Sequence, residues 1–366
     1  MEDELLGWSS PGLRRLEDEL LQAERHISLL GRLTPVNLRA ERGKVAEALS
    51  HGKYCPPVFH YPRSEMSERR LLKAADTLQV VEIALSSILG KSGDEAEKLL
   101  ADLLRSRSRE LSLELAIVRA ESADELRSLA RERYSVSSAN TLAADRKASE
   151  WLNEETTNGE GGNETEGLAG ALARLMTQNA YPFRVLEGDI ASIAAATDDS
   201  LVVQRGARGS NELARRLFVH EVEGHLLPRW RARSAGPPFR IGTAHSSADE
   251  EGRAILLEER ASTLGPARRR TLAVRHRVAR VVRSEGDVAG CCAELLAFGV
   301  DAETLASEVC RVLRGGGLAR EIVYLPSFLR VKRALEAYPE DERWLRRGRI
   351  SMESARSLSV LTSQIQ

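Results

Sequence analysis

The sequence predicts a mainly α fold with one small β-sheet (α+β), in which a helical N-terminal region, residues 1–150, packs on a C-terminal region, residues 151–366, that carries the chemistry. Three observations point there. Apolar residues recur at helical spacing through almost all of the first 150 positions. Three short β-like runs, 183–186, 192–196 and 200–204, stand together in mid-chain. Directly after them, two histidines and two acids share one apolar segment, 217–225.

The first helix opens at Ser10-Pro11, a cap residue followed by proline at the first helical position, and its stripe of Leu13, Leu16, Leu20, Ala23, Ile27 and Leu30 runs to Gly31. A short helix is expected over 38–50, then an extended, proline-rich loop from Gly52 to Arg63, in which His60 reads as structural. Leu71, Leu72, Ala75, Leu78, Val81, Ile83, Ala84 and Ile88 mark a helix from Glu65 to Gly90. Another runs from near Asp94 towards Val118, and Ser122 with Glu125 forms a capping box that opens the next.

The stretch 156–167, four glycines among Asn, Thr and Glu, reads as a surface loop; it has no phosphate-cradling glycine motif. A helix near 168–178 leads to the β-like runs. Pro228, Pro237 and Pro238 should make the chain irregular after the histidine segment. Seven arginines and no acids lie between Arg268 and Arg283, interleaved with apolar residues, which reads first as a helix with a solvated face. Helices over 287–298 and 302–313, a turn at Gly315-Gly316-Gly317, a segment 320–336 and a helix from Met352 complete the chain.

Composition narrows the function. A 42% apolar content supports a core, and a net charge of −1 with balanced acids and bases argues against nucleic acid or a membrane as partner. The four cysteines have no metal or redox spacing and are expected to be reduced. Neither a secretory leader nor a membrane span is visible, so the expected location is the cytoplasm.

The segment Leu217-Phe218-Val219-His220-Glu221-Val222-Glu223-Gly224-His225 carries the chemistry. Two neutral imidazoles can hold a divalent metal, and a glutamate beside the first can take a proton from water activated there. The spacing is H-E-x-x-x-H, and at ~100° per residue a regular helix would turn His220 and His225 about 140° apart. Both reach one ion only if a π-bulge widens the turn between Val219 and His225, with Gly224 where that deformation is cheapest. A third ligand is expected from the helix that starts at Ser247-Ala248-Asp249-Glu250-Glu251-Gly252, as Glu251 or Glu250. His245, just before it, is a further candidate beside the site.

These residues resemble a known family. His220-Glu221-x-x-x-His225 with Glu251-Gly252-x-Ala254 is similar to the flavohaemoglobin expression-modulating proteins with a Gln-Glu-Gly-Leu-Ala motif and to the microtubule-associated tyrosine carboxypeptidases. Pro35-Val36-Asn37, Tyr54-Cys55-Pro56-Pro57-Val58-Phe59, Arg205-Gly206-Ala207-Arg208, Arg314-Gly315-Gly316 and Arg320 through Leu325 resemble further stretches of that family. The resemblance implies a zincin-like catalytic half, one zinc ion on His220, His225 and Glu251, and Glu221 as base. The chain departs from the family at Glu250, Arg253, Glu223 and Gly209.

The expected activity is zinc-dependent peptide hydrolysis of the carboxypeptidase type on a protein or peptide C-terminal tail. Tyr324 is the candidate oxyanion donor. Arg208, with Arg205 and Arg320 as alternatives, is the candidate for gripping the substrate's terminal carboxylate. A non-catalytic zinc-containing regulatory protein and a metal oxygenase are the rival classes.

Overall fold

A computed structural model describes residues 10–61, 65–155, 166–190 and 192–365. The expected fold class holds: helices dominate, with two small sheets. The first helix, Pro11–Ile27, is capped by the Ser10 hydroxyl as anticipated, but it breaks at Ser28, which turns left-handed (φ 44°), and resumes as Leu29–Leu33. Helices follow at Leu38–Ser50, Glu65–Lys91, Glu95–Arg119, Ala123–Arg133 and Ser138–Leu152. At the capping box, the Ser122 hydroxyl accepts from Glu125 N (3.1 Å), while the Glu125 carboxylate accepts from Glu121 N, one residue before the cap.

The loop at 156–165 lies outside the described residues. Its last two positions, 166–167, form β1, which pairs antiparallel with β5 (Arg208–Gly209). After the helix Leu168–Gln178 come β2 (Arg184–Gly188), β3 (Ala194–Ala196) and β4 (Ser200–Gln204), in spatial order β2-β4-β3, with β2 parallel and β3 antiparallel to β4. The helix Asn211–Leu217 then passes without interruption into a π-helix, Phe218–Leu226, and on into Leu227–Ala232. Pro228 therefore sits inside a continuing helix, contrary to expectation. Proline removes the N–H that Gly224 O or Glu223 O would receive, and Arg253 supplies it instead, donating to Gly224 O (3.2 Å) and Glu223 O (3.4 Å).

Two apolar clusters organise the chain. The larger joins the N-terminal helices to residues 232–358, so both sides of residue 150 share one core. The smaller wraps the sheet with Leu168, Leu172 and Met176, and takes Leu217 from the end of the preceding helix and Phe218, Val222 and Leu226 from one face of the π-helix. That leaves the opposite face of the π-helix for the helix Ser246–Arg260.

Buried ion pairs tie the halves together. Glu114 accepts from Arg133 (2.7 Å) and Arg107 (3.2 Å), and Arg107 also binds Glu24 (2.6 Å), which holds Arg349 at 3.0 Å. Glu110 accepts from His245 N (2.8 Å), and so fixes the start of the helix Ser246–Arg260 from the N-terminal half. Within the described residues no helix is long and apolar enough to cross a membrane.

Two glycines set how closely the central helices approach. A Cβ on Gly224 would lie 2.7 Å from Ala254 Cβ, and one on Gly252 would lie 2.5 Å from the Ser327 carbonyl carbon, in the helix Tyr324–Ala337. Backbone cannot yield cheaply to a methyl group. Gly252→Ala should therefore cost about 1–3 kcal/mol of stability by overpacking. Gly43→Ala, in an exposed helix position with nothing within 4 Å, should instead stabilise by about 0.5–1 kcal/mol. Urea unfolding of the two variants reads both signs; a neutral Gly252→Ala would refute the close approach.

Candidate metal centre

The π-helix is the expected irregularity. Leu227 N donates to Val222 O, five residues back, and with the wider turn both histidines face the same side. His220 and His225 are buried, with their Nε2 atoms 3.4 Å apart. Glu251 joins them from the neighbouring helix: its Oε2 lies 3.6 Å from His220 Nε2 and 3.9 Å from His225 Nε2. These three are the one group of possible metal ligands among the described residues.

The triangle can be tested against an ion's needs. Donor atoms on a tetrahedral zinc at ~2.0–2.2 Å stand about 3.3–3.6 Å from one another. The three edges here are 3.4, 3.6 and 3.9 Å. A small contraction of one edge suffices, and two imidazoles with one carboxylate are a suitable donor set for zinc.

Electrostatics favour a cation at the same spot. Burial would lower the His220 imidazole, but the hydrogen-bonding carboxylates of Glu251 and Glu258, with Glu221 nearby, push it up to about 9. Burial would raise the Glu251 carboxyl, but His220, His225 and Arg320 hold it well below the usual carboxylate range. In the absence of metal the cluster thus draws a proton, the site a divalent ion would take over.

Around the three donors stands a ring of supports. His220 Nδ1 lies 2.6 Å from Glu258 Oε1, which makes Nδ1 the donor and aims the Nε2 lone pair into the cluster. Glu258 is fully buried, and Arg268 grips both its oxygens at 3.0 Å. Sequence reasoning missed Glu258, although the signal was present: it follows Glu251 by seven residues, two turns along the same helix face. On the other side, Glu250 Oε1 lies 3.4 Å from His225 Nδ1 and is paired with Arg229. Glu250 thus stands behind His225, outside the donor triangle.

Tyr324 is buried, and its hydroxyl donates to Glu251 Oε1 (2.9 Å) while accepting from Arg311 and Arg320, each at 3.2 Å. Arg320 also donates to Glu251 Oε1 (3.1 Å). Glu221 is half-buried, and its Oε2 accepts from Ala196 N (3.2 Å) in β3, the strand at the sheet edge. Of the other sequence candidates, Arg208 is exposed on β5, Arg205 is exposed 3.5 Å from Asp189, and His245 is exposed at the start of the Glu251 helix. Neither Arg208 nor Arg205 joins the ring.

The remaining motif stretches are supports of supports. Asn37 bonds Val58 O and His60 N, stitching the two N-terminal stretches together. Tyr61 then accepts from Gly315 N (2.8 Å), in the glycine turn. Arg314 in that turn holds Glu321 (2.8 Å), one residue from Arg320 and three from Tyr324. All seven arginines of the helix Pro266–Arg283 have partners within the chain: Glu258, Glu154, Phe298 O, Glu308, Glu294, Asp145 and Ala130 O. The basic helix is spent on internal pairing, not on a polyanion.

No curated protein and no solved structure matches the chain significantly. A family model does: that of the microtubule-associated tyrosine carboxypeptidases matches residues 51–364. The match takes in the π-helix, Glu251, Glu258, the glycine turn and Tyr324, so the chain belongs to the microtubule-associated tyrosine carboxypeptidase family.

Proposed function

We propose that this protein is a zinc-dependent carboxypeptidase acting on the C-terminal tail of a peptide or protein, with zinc held by His220, His225 and Glu251 and with Glu221 as the general base. The observation that carries the reading is the convergence of two imidazole Nε2 atoms and one carboxylate oxygen within 3.9 Å, beside a glutamate, Glu221, that takes no part in the ring of supports and bonds the edge strand instead. Zinc when bound would act as a Lewis acid on the scissile carbonyl and on water.

The chain's own groups do the rest. In this reading Glu221, which adjoins His220 and is hydrogen-bonded to the edge strand, accepts a proton from water and returns it to the leaving amine. Glu258 keeps His220 in one tautomer, and Glu250 backs His225. Tyr324 and Arg320 orient Glu251, and in the candidate role of oxyanion donor the Tyr324 hydroxyl must first turn away from Glu251 Oε1.

The edge strand favours action near a chain end. Gln204 N bonds Ile193 O and Thr197 N bonds Ser200 O, so by antiparallel alternation Ala194 and Ala196 present their backbone groups outward. Ala196 is already engaged: its N–H by Glu221 and its C=O by Arg229 (3.0 Å). A peptide laid along β3 can pair at Ala194 but meets filled positions at Ala196, beside the base. The sequence's candidates for the terminal carboxylate are Arg208, Arg205 and Arg320.

Metal analysis tests the ligand set. His220→Ala, His225→Ala and Glu251→Ala should each lose most of one zinc per chain, whereas Glu250→Ala should keep it. Glu258→Gln, which leaves a neutral acceptor behind His220, should weaken zinc affinity about 10–100-fold. A chain that binds iron in place of zinc would favour the oxygenase class.

Catalysis is tested separately, by mass spectrometry of a peptide pool incubated with the zinc-loaded protein. Glu221→Gln should keep zinc and fold while losing at least about a hundredfold in rate. Equal product from the two proteins would remove Glu221 as the base and with it the proposed hydrolase mechanism, whereas no product from either would leave a non-catalytic zinc protein.

A further inference from the structure

Exopeptidase action sets a distance requirement. The terminal carboxylate of the substrate lies one residue, ~3.6 Å, beyond the scissile bond, so the group that grips it must stand beside Glu221. A guanidinium suits best, because it meets a carboxylate with two parallel hydrogen bonds. Every arginine in the ring around the donors is already committed: Arg268 to Glu258, Arg229 to Glu250, Arg320 to Glu251, Arg275 to Glu308 and Arg311 to Glu321.

One arginine is different. Arg216 ends the helix Asn211–Leu217, four residues before His220 on the same continuous helix, and so roughly one turn, ~6 Å, up the axis from it. It is half-buried, and among the described residues no hydrogen bond or ion pair engages its guanidinium. Its electrostatic neighbours are Arg268, Glu258, Arg275 and Glu221, so its charge is felt both by the acid that backs His220 and by the candidate base. Burial, together with Arg268 and Arg275, pulls the guanidinium down to about 10, an arrangement that disfavours its charge in the free protein. Leaving a desolvated cation without a bonded anion costs free energy, and the arrangement becomes favourable when an anion arrives. Arg208, by contrast, is exposed on β5, where solvent screens the pairing and a carboxylate gains little.

We propose that Arg216 is the specificity residue that binds the substrate's free C-terminal carboxylate, and that it thereby makes the centre an exopeptidase. This rests on the metallopeptidase reading above. With the guanidinium holding the terminal carboxylate and the penultimate residue pairing with the edge strand, only the last peptide bond reaches the base. An internal peptide segment offers no carboxylate there, and a C-terminal amide offers a neutral group that cannot replace the ion pair.

Binding and cleavage together test this. The probe is an N-acetylated Glu-Glu-Tyr peptide, as free acid and as C-terminal amide, titrated calorimetrically into the zinc-loaded Glu221→Gln protein with and without Arg216→Ala. In the Glu221→Gln background the acid should bind at least tenfold more tightly than the amide, and Arg216→Ala should abolish that preference while leaving amide binding and zinc content unchanged. In the otherwise wild-type protein, Arg216→Ala should raise KM for the acid at least tenfold with kcat changed less, and Arg216→Lys should restore part of the loss. If the acid preference survives Arg216→Ala, or if acid and amide weaken equally, the assignment is overturned while the peptidase reading stands. If Arg216→Ala abolishes the acid preference but the wild-type protein cleaves neither peptide, the carboxylate site stands and the hydrolase reading falls.

Discussion

The width of one helical turn governs this structure. His220 and His225 stand five residues apart, and a regular helix would point them in different directions. The π-helix from Phe218 to Leu226 brings them together, and its fixed shape imposes the next requirements in turn. The two histidines face the helix Ser246–Arg260, so that helix must come close enough for Glu251 to reach them. Glycine at 224 permits the contact with Ala254, and glycine at 252 lets the helix Tyr324–Ala337 approach from the far side. The residue after the third donor is thus glycine for a packing reason: a side chain there would separate Glu251 from Tyr324.

Close packing creates an electrostatic problem, since it buries several carboxylates in one place. Burial alone would raise all of them, and an unpaired buried charge is strongly destabilising. The chain answers with an arginine for each of Glu250, Glu251 and Glu258: Arg229, Arg320 and Arg268. Burial would raise Glu258, but Arg268 and His220 hold it well below the usual range; burial would raise Glu250, but Arg229 and His225 do the same there. This accounts for an arginine-rich sequence with almost no net charge. It also explains why the arginines come from so many elements, because each must approach its carboxylate from outside the cluster.

The fold class was legible because amphipathic periodicity is local: the stripes of the N-terminal helices and the β-like runs need no knowledge of their neighbours. The turn geometry was legible for a related reason, since the spacing of His220 and His225 excludes a regular helix once both are required to reach one ion. Long-range pairing was not. Nothing near Arg268 in sequence says that it clamps Glu258, and the basic helix could be read only as a face until its partners at Glu154, Asp145 and Glu308 came into view. The break at Ser28 carries no glycine or proline to announce it. Pro228 misled because its missing N–H is compensated by Arg253, twenty-five positions later.

That compensation bears on the two positions beside Glu251 where this chain departs from the family pattern. Arg253 is consumed in satisfying Gly224 O and Glu223 O, so it preserves the π-helix and leaves the donor triangle unaltered. Glu250 acts in a different direction. Its carboxylate holds Arg229, and the same guanidinium bonds Ala196 O in the edge strand, so one acid backs His225 and fixes the strand next to Glu221 at once. A neutral side chain at 250 would bind Arg229 more weakly and let that edge relax. The departure at 250 therefore acts on how the sheet hangs over the centre, where an extended substrate would lie, while the residues that could hold the metal stay in register.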